Sequence, residues 1–104
     1  MPRQYDVVAN PDPSDAALRP YLVILQSDRI SVLNSAVVAP LIVRTSMSGA
    51  HRLNPSIVVG ERDYWLATHE LFAIDRRVLG RTIANIDGHR EAIAAALDLV
   101  FFGV

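Results

Sequence analysis

With 104 residues, 51% of them hydrophobic and 20% charged, the chain is sized for one domain (1–104) with one modest core. A formal net charge of -1 offers no field for nucleic acid or an anionic membrane. The absence of cysteine excludes disulfides and thiolate-bound metals, and fits a reducing cytoplasm. No N-terminal stretch has the pattern of a signal peptide, and no apolar run approaches the ~20 residues of a membrane span.

In chain order, "QYDVVAN" (4–10) alternates and is β-branched, which predicts a first strand. "PDPSDAALRP" (11–20) is a loop with a turn at "SDAAL". "YLVILQ" (21–26) is a continuous apolar run of strand length, expected as a central strand buried on both faces. "SDRISVLNS" (27–35) connects it to a strand at "AVVAPLIV" (36–43). Pro40 cannot donate to a ladder, so this strand is expected at an edge or with a bulge. After a loop over 44–56, "IVV" (57–59) and "YWLAT" (64–68) flank "GERD", a four-residue hairpin connection. A strand through about Ile74 follows, then a turn near Gly80.

"IDGHREAIAAALDLVFFGV" (86–104) closes the chain as a helix. Gly88 is the expected N-cap, with Glu91 three residues later in position to bond the cap amide. Ile93, Leu97, Val100, Phe101 and Val104 form one apolar stripe. Leu99 and Phe102 lie off it, and Gly103 is a helix stop. Several strands followed by one helix imply an α+β or small-barrel arrangement.

Little of this sequence carries chemistry. His51, His69 and His89 stand far apart, so no metal site and no catalytic residues are assigned, and no cofactor is implied. Ser27, His69 and Asp28 can be drafted into a triad on paper, but no G-x-S-x-G is present. "SDR" reads more simply as a turn in which Ser and Asp bond their own backbone. There is no P-loop and no G-x-G-x-x-G. Tyr64 and Trp65 read as core and rim of a sheet face. All ten basic residues are arginine, and their scatter reads as codon usage, with Arg76, Arg77 and Arg81 as a solvated face that could also attract an acidic tail of a partner. A binding module is the default, and "ALDLVFFGV" (96–104), aromatic where chain ends are ordinarily polar, is its candidate surface.

Five pieces in register give the chain a family likeness. "YLVILQSD" (21–28), "VVAPL" (37–41), "LNPSIVVG" (53–60), "VLG" (78–80) and the closing helix resemble the CcdB family, toxins of bacterial toxin–antitoxin modules. The opening "YDVVANP" (5–11) is similar to the first strand of many members. The resemblance implies an SH3-like barrel of antiparallel strands with a long C-terminal helix, forming a two-fold homodimer. It implies a non-enzymatic poison that enters the DNA gyrase A subunit and traps the cleaved-DNA complex. It also implies neutralisation by a CcdA-like antitoxin, which makes the DNA contacts when the pair represses its operon. The family's gyrase-facing Trp-Gly-Ile matches Phe102, Gly103 and Val104, and the preceding phenylalanine matches Phe101. An asparagine one turn earlier matches Asp98, and two adjacent isoleucines match Arg29 and Ile30.

Phe102 keeps a face for cation–π stacking but lacks the indole N–H. Arg29 and Asp98 place charges where the family's best-known toxin is neutral, so they either pair with each other or require complementary charges on the target. Two alternatives accompany this reading. One is a MazF/Kid-like endoribonuclease, for which Arg19 is the residue to watch. The other is a degenerate homologue that binds antitoxin and no longer poisons gyrase.

Overall fold

The computed structural model describes residues 2–30 and 32–104. Met1 and Ser31, the latter inside the expected 27–35 connection, lie outside the described residues. The elements are β1 (Asp6–Ala9), β2 (Tyr21–Ile24), β3 (Ser35–Val43), β4 (Ser56–Val59), β5 (Arg62–Leu66), β6 (Phe72–Asp75), β7 (Ala84–Asn85) and α1 (Arg90–Phe102). Neighbouring strands run in the order β4-β5-β3-β2-β1-β7, with β6 also paired to β3, and every pairing is antiparallel. The result is a nearly closed SH3-like barrel carrying a C-terminal helix.

β3 is the hub. One edge pairs with β2 from Val38 to Leu41. The other edge pairs with β6 over Ser35–Val38 and with β5 over Leu41–Val43. This corrects the edge-or-bulge expectation for Pro40, which sits in a central strand opposite Leu22. In an antiparallel strand the N and C=O of one residue face the same side. The Pro40 carbonyl accepts from the Ala67 amide, so its donor-less nitrogen faces the gap where the partner strand changes from β6 to β5. A proline costs no ladder bond at that point.

Alternation in the strands separates two apolar clusters. Val7, Val23, Leu25, Ala39, Leu41, Ile57 and Leu66 face the barrel interior, together with Ile93 of α1. Val8, Leu22, Ile24, Ala36 and Val38 face the other side, where Ile74 and Leu79 cover them. β2 is therefore buried on both faces, as its unbroken apolar run requires. Each fully buried aliphatic side chain contributes about 1.5–3 kcal/mol before chain entropy is charged against it.

Several boundaries differ from expectation for local reasons. β1 starts late because Tyr5 adopts φ 68, a left-handed conformation that no strand residue holds. The β4–β5 connection has two residues, since Val59 pairs with Arg62, and Gly60 supplies the positive φ (63) that tight hairpins need. β7 has no hydrophobic signature. It is held on β1 by the buried Asp6 carboxylate, which accepts from Asn85 Nδ2 at 2.9 Å, Thr82 Oγ1 at 2.8 Å and the Arg3 amide at 2.7 Å. Burial opposes the charge on Asp6, but these bonds outweigh it and lower its pKa. Gly88 is not the N-cap of α1. It lies inside a 3-10 turn (Asp87–His89), and His89 precedes the helix without a side-chain cap bond.

Candidate functional site

α1 packs through Ile93 and Ala96, which are buried, and through Leu97, which joins the interior cluster. Here the expected stripe is corrected. Its first half is core, but Phe101 and Val104 are 61% and 73% exposed, alongside Phe102 at 75%. The first turns of the helix lie over the barrel, beside the 3-10 turns Thr68–Glu70 and Asp87–His89. The last turn projects past the core, so helical phase no longer decides burial there. Gly103 closes the helix at φ 74, with its amide donating to the Leu99 carbonyl at 3.1 Å. That left-handed cap is the expected helix stop. Asp98 is exposed one turn earlier.

Arg29 and Ile30 sit on a 3-10 turn (Asp28–Ile30) held from both sides. Ser27 Oγ accepts from the Arg29 amide at 3.1 Å, and Asp28 Oδ1 accepts from the Gln4 amide at 2.9 Å. Asp28 also faces Arg3 at 3.5 Å. Ser27 and Asp28 are thus turn residues. His69 lies elsewhere, against Asn54 and Glu70, so the paper triad does not assemble. Ile30 is exposed, as is Arg29. Among the described residues Arg29 and Asp98 form no ion pair with each other, so the two charges stand as separate features of the surface.

Arg19 is not a free cation. Its Nε donates to Glu70 Oε1 at 2.9 Å and its Nη1 to Asp15 Oδ1 at 2.9 Å. The Glu70 hydrogen bond, reinforced by Asp15 against some desolvation, raises the Arg19 pKa further above its ordinary value. Glu70 also faces His69 at 3.9 Å. His69 Nδ1 meets Asn54 Nδ2 at 3.2 Å. Asn54 is buried, accepts from the Ala50 amide and donates to the Leu66 carbonyl, which fixes its orientation. Asn54 Nδ2 is therefore the donor in that contact, and His69 Nδ1 the acceptor.

Sequence reasoning missed a cavity of about 480 Å³ between residues 49–56 and α1. Trp65, Pro55, Ala92 and Ala95 line it with apolar surface, and His51 and His89 come from distant parts of the chain. Trp65 is half-buried, with the Arg44 guanidinium 3.8 Å from its ring centroid. A Cβ on Gly49 would lie 2.5 Å from the same ring. No periodic signal marks this site, because irregular backbone makes one of its walls. No metal-binding cluster of His, Cys, Asp and Glu occurs among the described residues, and no helix there is long and apolar enough to cross a membrane.

Two solved structures share this barrel with its added helix. The solved structure described as "Endoribonuclease in complex with its cognate antitoxin from Mycobacterial species" superposes with a TM-score of 0.76 at 13% identity, covering 96% of this chain and 94% of that one. The Mycobacterium tuberculosis toxin MazF-mt6 superposes with a TM-score of 0.70 at 18% identity, covering 95% of this chain and 96% of that one. At such identities the likeness is one of fold. No match is found among curated proteins. The family model described as "CcdB protein" matches residues 4–103, and the chain belongs to the CcdB family of toxin–antitoxin toxins.

Proposed function

We propose that this chain is a toxin that acts by binding the DNA gyrase A subunit and trapping its cleaved-DNA complex, with no chemistry of its own. The observation that carries this reading is the free last turn of α1. Phe101, Phe102 and Val104 are apolar, exposed and ended by a left-handed Gly103, at the positions where the family meets gyrase. An exposed apolar cluster of this kind marks a binding face. Asp98, Arg29 and Ile30 complete the proposed contact set, and a two-fold homodimer would present it twice. A CcdA-like antitoxin is the proposed neutralising partner. Residues 1–104 act as one toxin domain in this reading, working in the cytoplasm where gyrase is found.

The test is to incubate purified protein with gyrase and plasmid DNA and to measure trapped double-strand breaks. Breaks that depend on Phe102–Val104 support the proposal. Unaltered supercoiling without breaks overturns it, and tight antitoxin binding in that case identifies the degenerate homologue.

An endoribonuclease reading draws on the mycobacterial neighbour, whose description names that activity. Against it, Arg19 is held by two carboxylates and is not available to a phosphate. Cleavage of a defined RNA that survives chelation and is lost in Arg19→Ala would favour this second reading.

A further inference from the structure

The cleft between the 49–56 loop and α1 takes no part in the function proposed above. Its volume, about 480 Å³, lies in the range of small-molecule pockets. The space exists because α1 lines it with only the methyl groups of Ala92 and Ala95, one turn apart. A longer side chain at either position would fill it.

Both other walls are held in place. The Arg44 guanidinium stacks 3.8 Å from the Trp65 ring centroid, and its Nη2 donates to Ser56 Oγ at 2.6 Å. Gly49 lies so near the same ring that a Cβ there would clash with it. The loop is tied by the buried Asn54, whose side chain accepts from the Ala50 amide at 3.0 Å and donates to the Leu66 carbonyl at 3.1 Å. The Asn54 amide donates in turn to the Ala50 carbonyl at 2.9 Å. The cleft is therefore pre-formed, and a molecule entering it has little protein to order.

Its charge is one-sided. Arg52, His51 and His89 line it, and no Asp or Glu does. Arg52 forms no ion pair among the described residues. Its backbone is held at φ 72, a left-handed conformation that is costly for arginine and that proteins keep chiefly at ligand clamps and active sites. An apolar cleft beside an indole favours a flat, apolar body. An unpaired guanidinium with no carboxylate beside it favours an anion, and a carboxylate matches its planar fork best.

We infer that this cleft binds a small aromatic carboxylate, with its ring against Trp65 and the alanines of α1 and its carboxylate on Arg52. Every residue of the cleft lies outside Phe101–Val104, so gyrase trapping and carboxylate binding can each fail without the other.

The test titrates the full chain by calorimetry with 2-naphthoate, its neutral amide 2-naphthamide and the cation 2-naphthylmethylammonium. Naphthoate should bind with a Kd between about 10 μM and 1 mM, and should raise the melting temperature. The amide should bind roughly tenfold more weakly, and the ammonium should not bind. Arg52→Asn, a change that left-handed backbone tolerates, should lower the affinity for naphthoate to that for the amide. Ala95→Leu should abolish naphthoate binding by filling the cleft, whereas Arg62→Gln, outside it, should change nothing. No naphthoate binding up to about 5 mM overturns the inference. So does equal affinity for acid and amide, a preference for the ammonium, an anion preference that survives in Arg52→Asn, or undiminished binding to Ala95→Leu. The comparison of the three probes on the unmodified chain stands even if a variant fails to fold.

Discussion

Arg19 Nε and Glu70 Oε1 lie 2.9 Å apart, joining the loop before β2 to the 3-10 turn after β5 across 51 residues of sequence. A second bond from Nη2 to Oε2, at 3.4 Å, makes the pair two-pronged. Planar pairing of this kind is the use to which arginine is best suited. It makes Arg19 a tie between two loops.

Glu70→Gln is therefore expected to lower stability by about 1 kcal/mol, after allowing for the third of each side chain still open to solvent. Urea titration measures it, and the deficit should shrink at high salt. Arg19→Lys should not restore the loss, because an ammonium cannot make the paired contact.

Phe102→Ala should leave stability within about 0.5 kcal/mol, because the side chain makes no core contact. The same change is expected to weaken gyrase trapping at least tenfold. Phe102→Trp should strengthen trapping, since indole has the better cation–π face and adds an N–H donor. Paired measurements of melting temperature and cleavage-complex yield separate the two effects. A Phe102→Ala protein that traps breaks as well as the parent would remove this residue from the site.

Gly49→Ala places a methyl group 2.5 Å from the Trp65 ring, inside van der Waals contact. Overpacking of this order costs about 1–3 kcal/mol. The ring must move, so a change in the fluorescence of the chain's one tryptophan should accompany the loss. It should also alter the wall of the 480 Å³ cavity that Gly49 and Trp65 share.

The acid limb of stability is set by carboxylates whose folded pKa is lowered. Asp6 is lowered from 3.8 by its three hydrogen bonds, and Asp75 falls to about 2 beside Arg77. For such groups the unfolded chain binds protons first as pH falls. Their contribution is complete above the unfolded value near 4 and is lost as pH drops toward 2. Urea midpoints should be flat from about pH 7 to 5 and then decline. Asp6→Asn should lower the plateau by about 1–3 kcal/mol, by loss of the charge-assisted bonds, and flatten the decline.

Much of this molecule was legible without coordinates wherever one physical pattern dominated. The unbroken apolar run at 21–25 reads as a strand covered on both sides, and β2 (Tyr21–Ile24) is that strand. Gly103 after a run of helix formers could only be a left-handed stop. β7 was not legible, because it is fixed by backbone pairing with β1 and by the Asp6 side chain, which bonds Asn85 79 residues away, and not by any pattern of its own. Nor was the position of Pro40 legible, since its tolerance depends on where two other strands hand over their pairing.

The sequence by itself determined the class of fold, the family likeness and the composition of the last turn of α1, because periodicity, capping and residue order are local properties. Only the tertiary structure decided which of those residues are exposed. Phe101 shares a helical phase with Ile93, yet it is exposed where Ile93 is buried, and Val104 lies beyond the helix stop at Gly103. The same holds for the arginines. Arg19, Arg76 and Arg77 are chemically identical in the sequence. Folding makes the first a doubly paired tie and the last a surface ion pair, and leaves Arg76 buried with no acceptor for its Nε among the described residues, because each one meets a different set of acceptors.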